Sequence, residues 1–298
     1  MKNMISYYYN INPTSIHHNA NTYKFVINDD RYIFIKTDLP LERIDGCYRI
    51  SILLRKHNIY SHMIVLNIEN TPFTIINNNC YVLLKVMIDD YLLILEDIIN
   101  FNDRCKKLKM NKKIEWYDLW TKKIDYIEYQ INQFGKKYPL VRESIDYFIG
   151  LSEMAISLLN YIDFSKVNIS VQHKRISNGY TSDDYYNPLN FVIDSITRDS
   201  AEYFKANMFI NRNIFDDIKY YIDYSDMNEE DLKLFFVRML FPTYYFDMYE
   251  KVLNGTFDEK RIMKIISNID QYQDILVDIY YYIKQYVELP NIDWYQKM

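Results

Sequence analysis

Glycine is scarce in this chain: five in 298 residues, and none before Gly46. A loop that wraps phosphates with its backbone needs positions without a Cβ, so no glycine-rich phosphate loop lies in the first 45 residues. Cysteine is nearly as rare. Cys47, Cys80 and Cys105 stand far apart with no CxxC spacing, which excludes a zinc-finger pattern and a disulfide framework and points to a reducing compartment, the cytoplasm. Excess positive charge is also missing. A formal net charge of −5 gives no general attraction to nucleic acid, whose phosphates demand clustered Lys and Arg. The densest basic run, 104–113, is offset by Glu115 and Asp118 and reads as a solvated helix face. The most apolar runs, 91–95 and 232–241, fall well short of the ~18–20 residues that cross a bilayer, so no transmembrane segment is expected. The opening MKNMISYYYN lacks a basic segment followed by an apolar one and does not read as a signal peptide. Repeats, low-complexity linkers and Gly/Ser tracts are absent too.

What is present is aromatic and strongly patterned. Thirty-one tyrosines supply core and interface area, each needing a partner for its hydroxyl when buried. Over 23–36, Tyr23, Phe25 and Ile27 alternate with polar residues, Asn28-Asp29-Asp30 makes a turn, and RYIFIK returns, which predicts a β-hairpin ending at Lys36. Residues 41–55 carry Ile44, Cys47, Tyr48, Ser51 and Leu54 on one helical stripe. Strands are expected at 62–68, 73–76 and 80–88. Beyond residue 89 the period changes to helical: 91–100, 113–134 with Trp116 and Trp120 one turn apart, 141–161, 211–224, 228–253, 258–269 and 271–287. Phe148, Ile149, Ala155 and Leu159 mark the buried side of the third of these. Asn228 with Asp231 three residues on has N-cap spacing, and Pro242 is expected to kink or end its helix. The plan is therefore α+β in two lobes: a small antiparallel β-rich lobe over residues 1–88, and a helical lobe over 89–298 with a short β-insert near 168–194.

The stretch 171–209 holds the chemistry. His173 stands beside Lys174 and Arg175; an Asn/Asp/Tyr-rich loop leads to an apolar run ending at Asp194, and a helix opens near Arg198 and Asp199. Four segments, YFIGLSEMAISLL (147–159), HKRI (173–176), FVIDSITRDSAEYFK (191–205) and VRMLFPTYYFDMY (237–249), resemble the spore-coat-associated kinase-like family of the YutH type, related to the CotS type. These are distant relatives of the aminoglycoside and choline phosphotransferases. The resemblance implies a two-lobed, protein-kinase-like fold.

In phosphotransferases of that fold a His-Gly-Asp motif supplies the base, and an Asn and the Asp of a following Ile-Asp hold magnesium on the phosphates of ATP. Here His173-Lys174-Arg175 replaces His-Gly-Asp. Arg175 is permanently cationic and cannot be a base. Asp194 matches the metal-binding Asp, and Asn187 or Asn190 stands for the Asn only if the loop is longer. Lys36 and Glu42 occupy positions where a nucleotide-binding Lys–Glu pair would sit.

Each residue also has a plainer reading. His173 is a structural histidine, and His17-His18 is an exposed polar pair. Asp199 with Glu202 has capping-box spacing, so Asp199 is an N-cap or a functional acid. Arg175 or Arg198 pairs with Asp194, closing the old metal position in a structural cluster with Asp199 and Glu202. Three functions follow: a non-catalytic scaffold or binding module with spore-coat components as partners; an ATP- and magnesium-dependent phosphotransferase acting on a small hydroxylated or amino substrate; or an anion binder through Lys174, Arg175 and Arg198.

Overall fold

A computed structural model of the chain describes residues 1–108, 110, 112–177, 179–208, 211 and 214–292. Lys109 and Asn111 of the basic run, Phe209 at the end of the central stretch, and Arg212 and Asn213 of the expected 211–224 helix lie outside the described residues. The chain divides into two compact units. The first takes Met1–Asp97, His173–Arg175 and Gly179–Val192; the second takes Ile98–Gln172, Ile176–Asn178 and Ile193–Met298.

The first unit opens with α1 (Lys2–Tyr9), β1 (His17–Asn19), β2 (Thr22–Ile27), β3 (Asp30–Thr37), α2 (Leu41–Lys56), β4 (Met63–Val65), β5 (Thr74–Ile76) and β6 (Asn79–Lys85). The strands form one sheet in the order β1-β2-β3-β6-β4, with β5 also on β6, and every pairing is antiparallel. The turn between β2 and β3 decides the hairpin: Asn28 and Asp29 both take positive φ, 48° and 69°. Two left-handed residues match the twist of the flanking strands. The strict period of two then splits the core. Ile33, Val82 and Leu84 point to the side covered by Ile44 and Cys47 of α2; Phe34, Tyr81 and Leu83 point to the side covered by Ile5 and Tyr9 of α1. Helix α1 was not expected from the sequence. Its eight residues carry only two buried side chains, too short a stripe to register as a period.

The chain continues through α3 (Leu95–Lys106), α4 (Trp116–Phe134), α5 (Pro139–Leu158), β7 (Ile169–His173), α6 (Ser182–Tyr185), β8 (Phe191–Ser195), α7 (Arg198–Asn207), α8 (Ile214–Tyr224), α9 (Glu229–Leu240), α10 (Thr243–Leu253), α11 (Met263–Ile266) and α12 (Ile269–Ile283). Strands β7 and β8 make a two-stranded ribbon. Phe148, Ala155 and Leu159 are buried, as is Trp116, whereas Ile149 and Trp120 are half-buried. Phe148 stacks on Tyr245 at 3.8 Å between centroids.

Pro242 divides the expected 228–253 helix into α9 and α10. Its ring removes a donor and clashes with the preceding turn. Asn228 caps α9 in a full capping box: its side chain accepts from Asp231 N–H at 2.9 Å and Asp231 accepts from Asn228 N–H at 3.2 Å. Two expected helices are corrected. The 258–269 segment is a 3₁₀ turn, Glu259–Ile262, running into the short α11. The helix expected from residue 91 starts at Leu95, because residues 91–93 are extended and paired: Leu92 bridges Thr181 antiparallel. No helix among the described residues is long and apolar enough to cross a membrane.

Candidate functional site

Asp194 lies near the end of β8 in the second unit, 6% exposed. Four groups converge on its two oxygens. Oδ2 accepts from Arg198 Nη1 at 2.6 Å. Oδ1 accepts from Arg238 Nη2, from Trp116 Nε1 at 3.1 Å and from its neighbour's amide, Ser195 N–H, at 2.7 Å. Arg198 reaches it because the two residues are four apart at the entry to α7. Arg238 comes from the buried side of α9, its Nε donating to Ser195 Oγ at 3.1 Å. Its guanidinium also lies over the Trp116 and Trp120 rings, 5.6 and 6.0 Å from the centroids, a cation–π arrangement. Burial opposes ionisation of Asp194, but the Arg238 and Arg198 guanidiniums prevail and hold its carboxyl below the usual range. A cleft of about 350 Å³ shares Trp116 with this cluster and is lined also by Lys112, Lys113, Tyr117 and Phe164.

A second carboxylate centre lies wholly in the first unit, and sequence reasoning missed it. Asp183, in α6, is 6% exposed. Arg31 Nη2 donates to both of its oxygens at 3.0 Å, and Lys24 Nζ donates to Oδ2 at 2.8 Å. Both cations come from the β2–β3 hairpin. His62 is fully buried, and its Nε2 stands 4.0 Å from Asp183 Oδ1. Burial drives the imidazole down to about 4, against the pull of the Asp183 charge and backbone. The same loop also engages the backbone that leaves β6. Ser182 Oγ donates to Asp89 O at 2.8 Å and accepts from Tyr91 N–H at 3.0 Å. Ser182 N–H donates to Tyr91 O at 2.9 Å, and Leu93 N–H to Tyr180 O at 3.0 Å. Asp183 and Ser182 carry no local signal of this role, because their partners lie about 90 to 160 positions earlier in the chain.

The remaining expected residues are placed as follows. His173 is buried, its ring stacked on Tyr185 at 3.9 Å and edge-on to Phe191 at 5.2 Å. Arg175 lies in the loop after β7, half-buried. Asn187 caps the turn Pro188–Asn190 by accepting from Leu189 N–H at 3.0 Å. Asn190 Nδ2 donates to Tyr180 Oη at 3.0 Å and to Asp184 O at 2.8 Å. Asn187 and Asn190 belong to the first unit, Asp194 to the second. Lys36 lies opposite Tyr81 in the β3–β6 register, and Glu42 is exposed in the first turn of α2; no ion pair joins these two described residues. The N-cap of α7 is Thr197, so Asp199 sits inside the first turn, where its own N–H donates to Gln172 Oε1 at 3.1 Å. Glu202 accepts from Lys205 Nζ and from Thr243 Oγ1, each at 3.0 Å. Among the described residues no group of three or more His, Cys, Asp or Glu side chains is gathered as for a metal ion.

The family model described as "Spore coat putative kinase YutH" matches residues 2–279. The chain belongs to that family. Among curated proteins, it is 24% identical to the endospore coat-associated protein YutH of Bacillus subtilis (strain 168) over 212 residues, 61% of this chain and 62% of that protein. The match thus spans less than two thirds of the relative's length. Among solved structures, an aminoglycoside phosphotransferase from Alicyclobacillus acidocaldarius is similar with a TM-score of 0.70 at 9% identity, covering 94% of this chain and 95% of that one. A spectinomycin phosphotransferase in complex with ADP and spectinomycin is similar with a TM-score of 0.62 at 11% identity, over 94% and 97% of the two chains. At such identities the likeness establishes the fold, which is the phosphotransferase-like one expected from the sequence. The YutH-family resemblance is borne out with it.

Proposed function

We propose that this YutH-family protein works without catalysis, as a kinase-like scaffold or binding module of the spore coat, with coat components as its partners. The observation that carries the reading is the state of Asp194. A magnesium-binding carboxylate must offer a free oxygen, yet both of its oxygens are taken by guanidiniums, one of them buried. Asp194 itself faces two guanidiniums, and Glu202 and Asp199 add their charge on the Arg238 side. A divalent cation entering there meets like charge, and displacing Arg238 leaves that buried cation unpaired, which costs about 3–5 kcal/mol. The donor set therefore does not fit magnesium.

Arg175 where the family's phosphotransferase relatives carry a base supports the same reading, since general-base assistance is typically worth about 10²–10⁴-fold. So does the absence of glycine from the hairpin. The competing reading is ATP- and magnesium-dependent transfer to a small hydroxylated or amino acceptor. It draws on the Ile193-Asp194 motif and on a structural neighbour that holds ADP. Calorimetric titration with Mg-ATP, beside an assay of ATP hydrolysis, separates the two. No metal-dependent heat and no phosphate release are expected. Metal-dependent binding with turnover, both lost in Asp194→Asn, would overturn the proposal.

A further inference from the structure

The Asp183 centre has a feature that an ordinary ion pair lacks. His62 Nδ1 accepts from Met87 N–H at 3.3 Å, so in the neutral ring the proton sits on Nε2. That buried N–H makes no well-formed hydrogen bond: the Asp183 backbone attracts it only weakly against burial, and Asp183 Oδ1 stands 4.0 Å away. An unmade hydrogen bond from a buried donor is costly, and here the carboxylate, held by the hairpin cations, stops short of it. Lys24 and Arg31 draw the carboxylate toward the hairpin with three hydrogen bonds, two to Oδ2 and one to Oδ1. A phosphoryl group differs from a carboxylate in the ways the gap requires. It carries three acceptor oxygens around a larger centre and nearly twice the negative charge, and it suits a guanidinium fork and an ammonium together. Access exists from the hairpin side, where the side chains of Lys24 and Arg31 are 50% and 30% exposed.

We propose that Lys24, Arg31 and His62 form a phosphate-binding cradle that Asp183 fills from within, so that a phosphoryl ligand and the loop 179–187 compete for the same three donors. The loop is built to act as the competitor. Ser182 and Tyr180 fasten it to the backbone of 89–93 by four hydrogen bonds of 2.8–3.0 Å; a ligand that displaces Asp183 loosens that fastening. The phosphoryl group comes from one of two sources, a free polyphosphate or the phosphate chain of a nucleotide. The cradle is independent of Asp194 and of any metal. A metal-dependent signal therefore bears on the scaffold reading, and a metal-free signal on this site.

The test is calorimetric titration with pyrophosphate and with ATP, both in EDTA, of the full-length protein and of Asp183→Asn. Asp183→Asn keeps the shape of the side chain and removes its charge. It is expected to bind pyrophosphate at least about tenfold more tightly than the unsubstituted protein. Adding Arg31→Gln to the same chain should undo the gain. Equal affinity for ATP and pyrophosphate identifies the phosphates alone as the ligand; tighter ATP binding identifies a nucleotide. A folded Asp183→Asn protein that ignores both anions overturns the proposal, as does binding that Arg31→Gln leaves unchanged. If Asp183→Asn does not fold, amide exchange on the unsubstituted protein decides. Excess pyrophosphate should speed exchange at Leu93 and Ser182, and an unchanged pattern there overturns the cradle.

Discussion

Two carboxylates in this molecule are equally buried and each is held by two cations, yet they are different devices. Asp194 and Asp183 are both 6% exposed. Asp194 is met by Arg238, itself 5% exposed and flanked by indole rings; its second partner, Arg198, has a side chain 23% exposed. Asp183 is met by cations whose side chains are 30% and 50% exposed, beside a buried imidazole whose Nε2 makes no well-formed hydrogen bond. Removing one member of a pair that is buried on both sides strands a charge with no water to take it. A pair with one wet side can trade its protein partner for solvent or another anion. Burial of the acid alone therefore says little, and the exposure of its partners separates a lock from a latch.

The largest test of this contrast is Asp194→Ala, which leaves Arg238 buried without a counter-ion. It should cost about 3–5 kcal/mol, read from urea unfolding; a loss below about 1 kcal/mol would mean that Arg238 finds water and that the centre is no lock.

The next effect is acid sensitivity. The His62 pKa falls from 6.5 to about 4 in the folded protein, so the folded state favours the neutral ring. That stability is fully present above pH 6.5 and is lost as pH falls toward 4, by roughly 3 kcal/mol in all. Asp194 has its folded pKa held below the ordinary value. Its contribution persists above the ordinary carboxylate range near pH 4 and is lost only below that. Amide protection, taken relative to the intrinsic exchange rate at each pH, should therefore fall first in β3, β4 and β6 between neutral pH and about pH 4.5, and His62→Gln should flatten that response. Equal acid sensitivity in the two units would erase the distinction.

Asp183→Ala is a smaller perturbation. It should cost about 1–2 kcal/mol, because Lys24 and Arg31 regain water, and thermal unfolding measures it against Asp194→Ala. The smallest effect is ionic. Lys24→Ala should cost under about 1 kcal/mol at low salt, and most of that should vanish at high salt as screening shortens the Debye length. A salt-independent loss would place Lys24 in a drier setting than its exposure suggests.

Local features were readable wherever one segment contained its own explanation. The Asn28-Asp29 turn, the Asn228–Asp231 cap and the break at Pro242 each depend on a handful of adjacent residues. The pairing of Arg198 with Asp194 was within reach for the same reason, being one helical turn. Arg238, the other half of that lock, was not. It lies 44 positions on, and its neighbours one turn back, Leu234 and Phe235, are apolar, so nothing adjacent marks it as a partner. Helix α1 escaped because eight residues with two buried side chains make too weak a period, and its stability comes from the sheet face it covers.

By itself the sequence determined the two-lobed α+β plan, the hairpin without glycine and the capped and broken helix ends, because period, turn chemistry and residue type act over a few neighbours. Only the tertiary structure decided what the acids do. A carboxylate's role depends on which cations the fold brings to it and how wet they are, and both Arg238 on Asp194 and the hairpin cations on Asp183 arrive from distant parts of the chain.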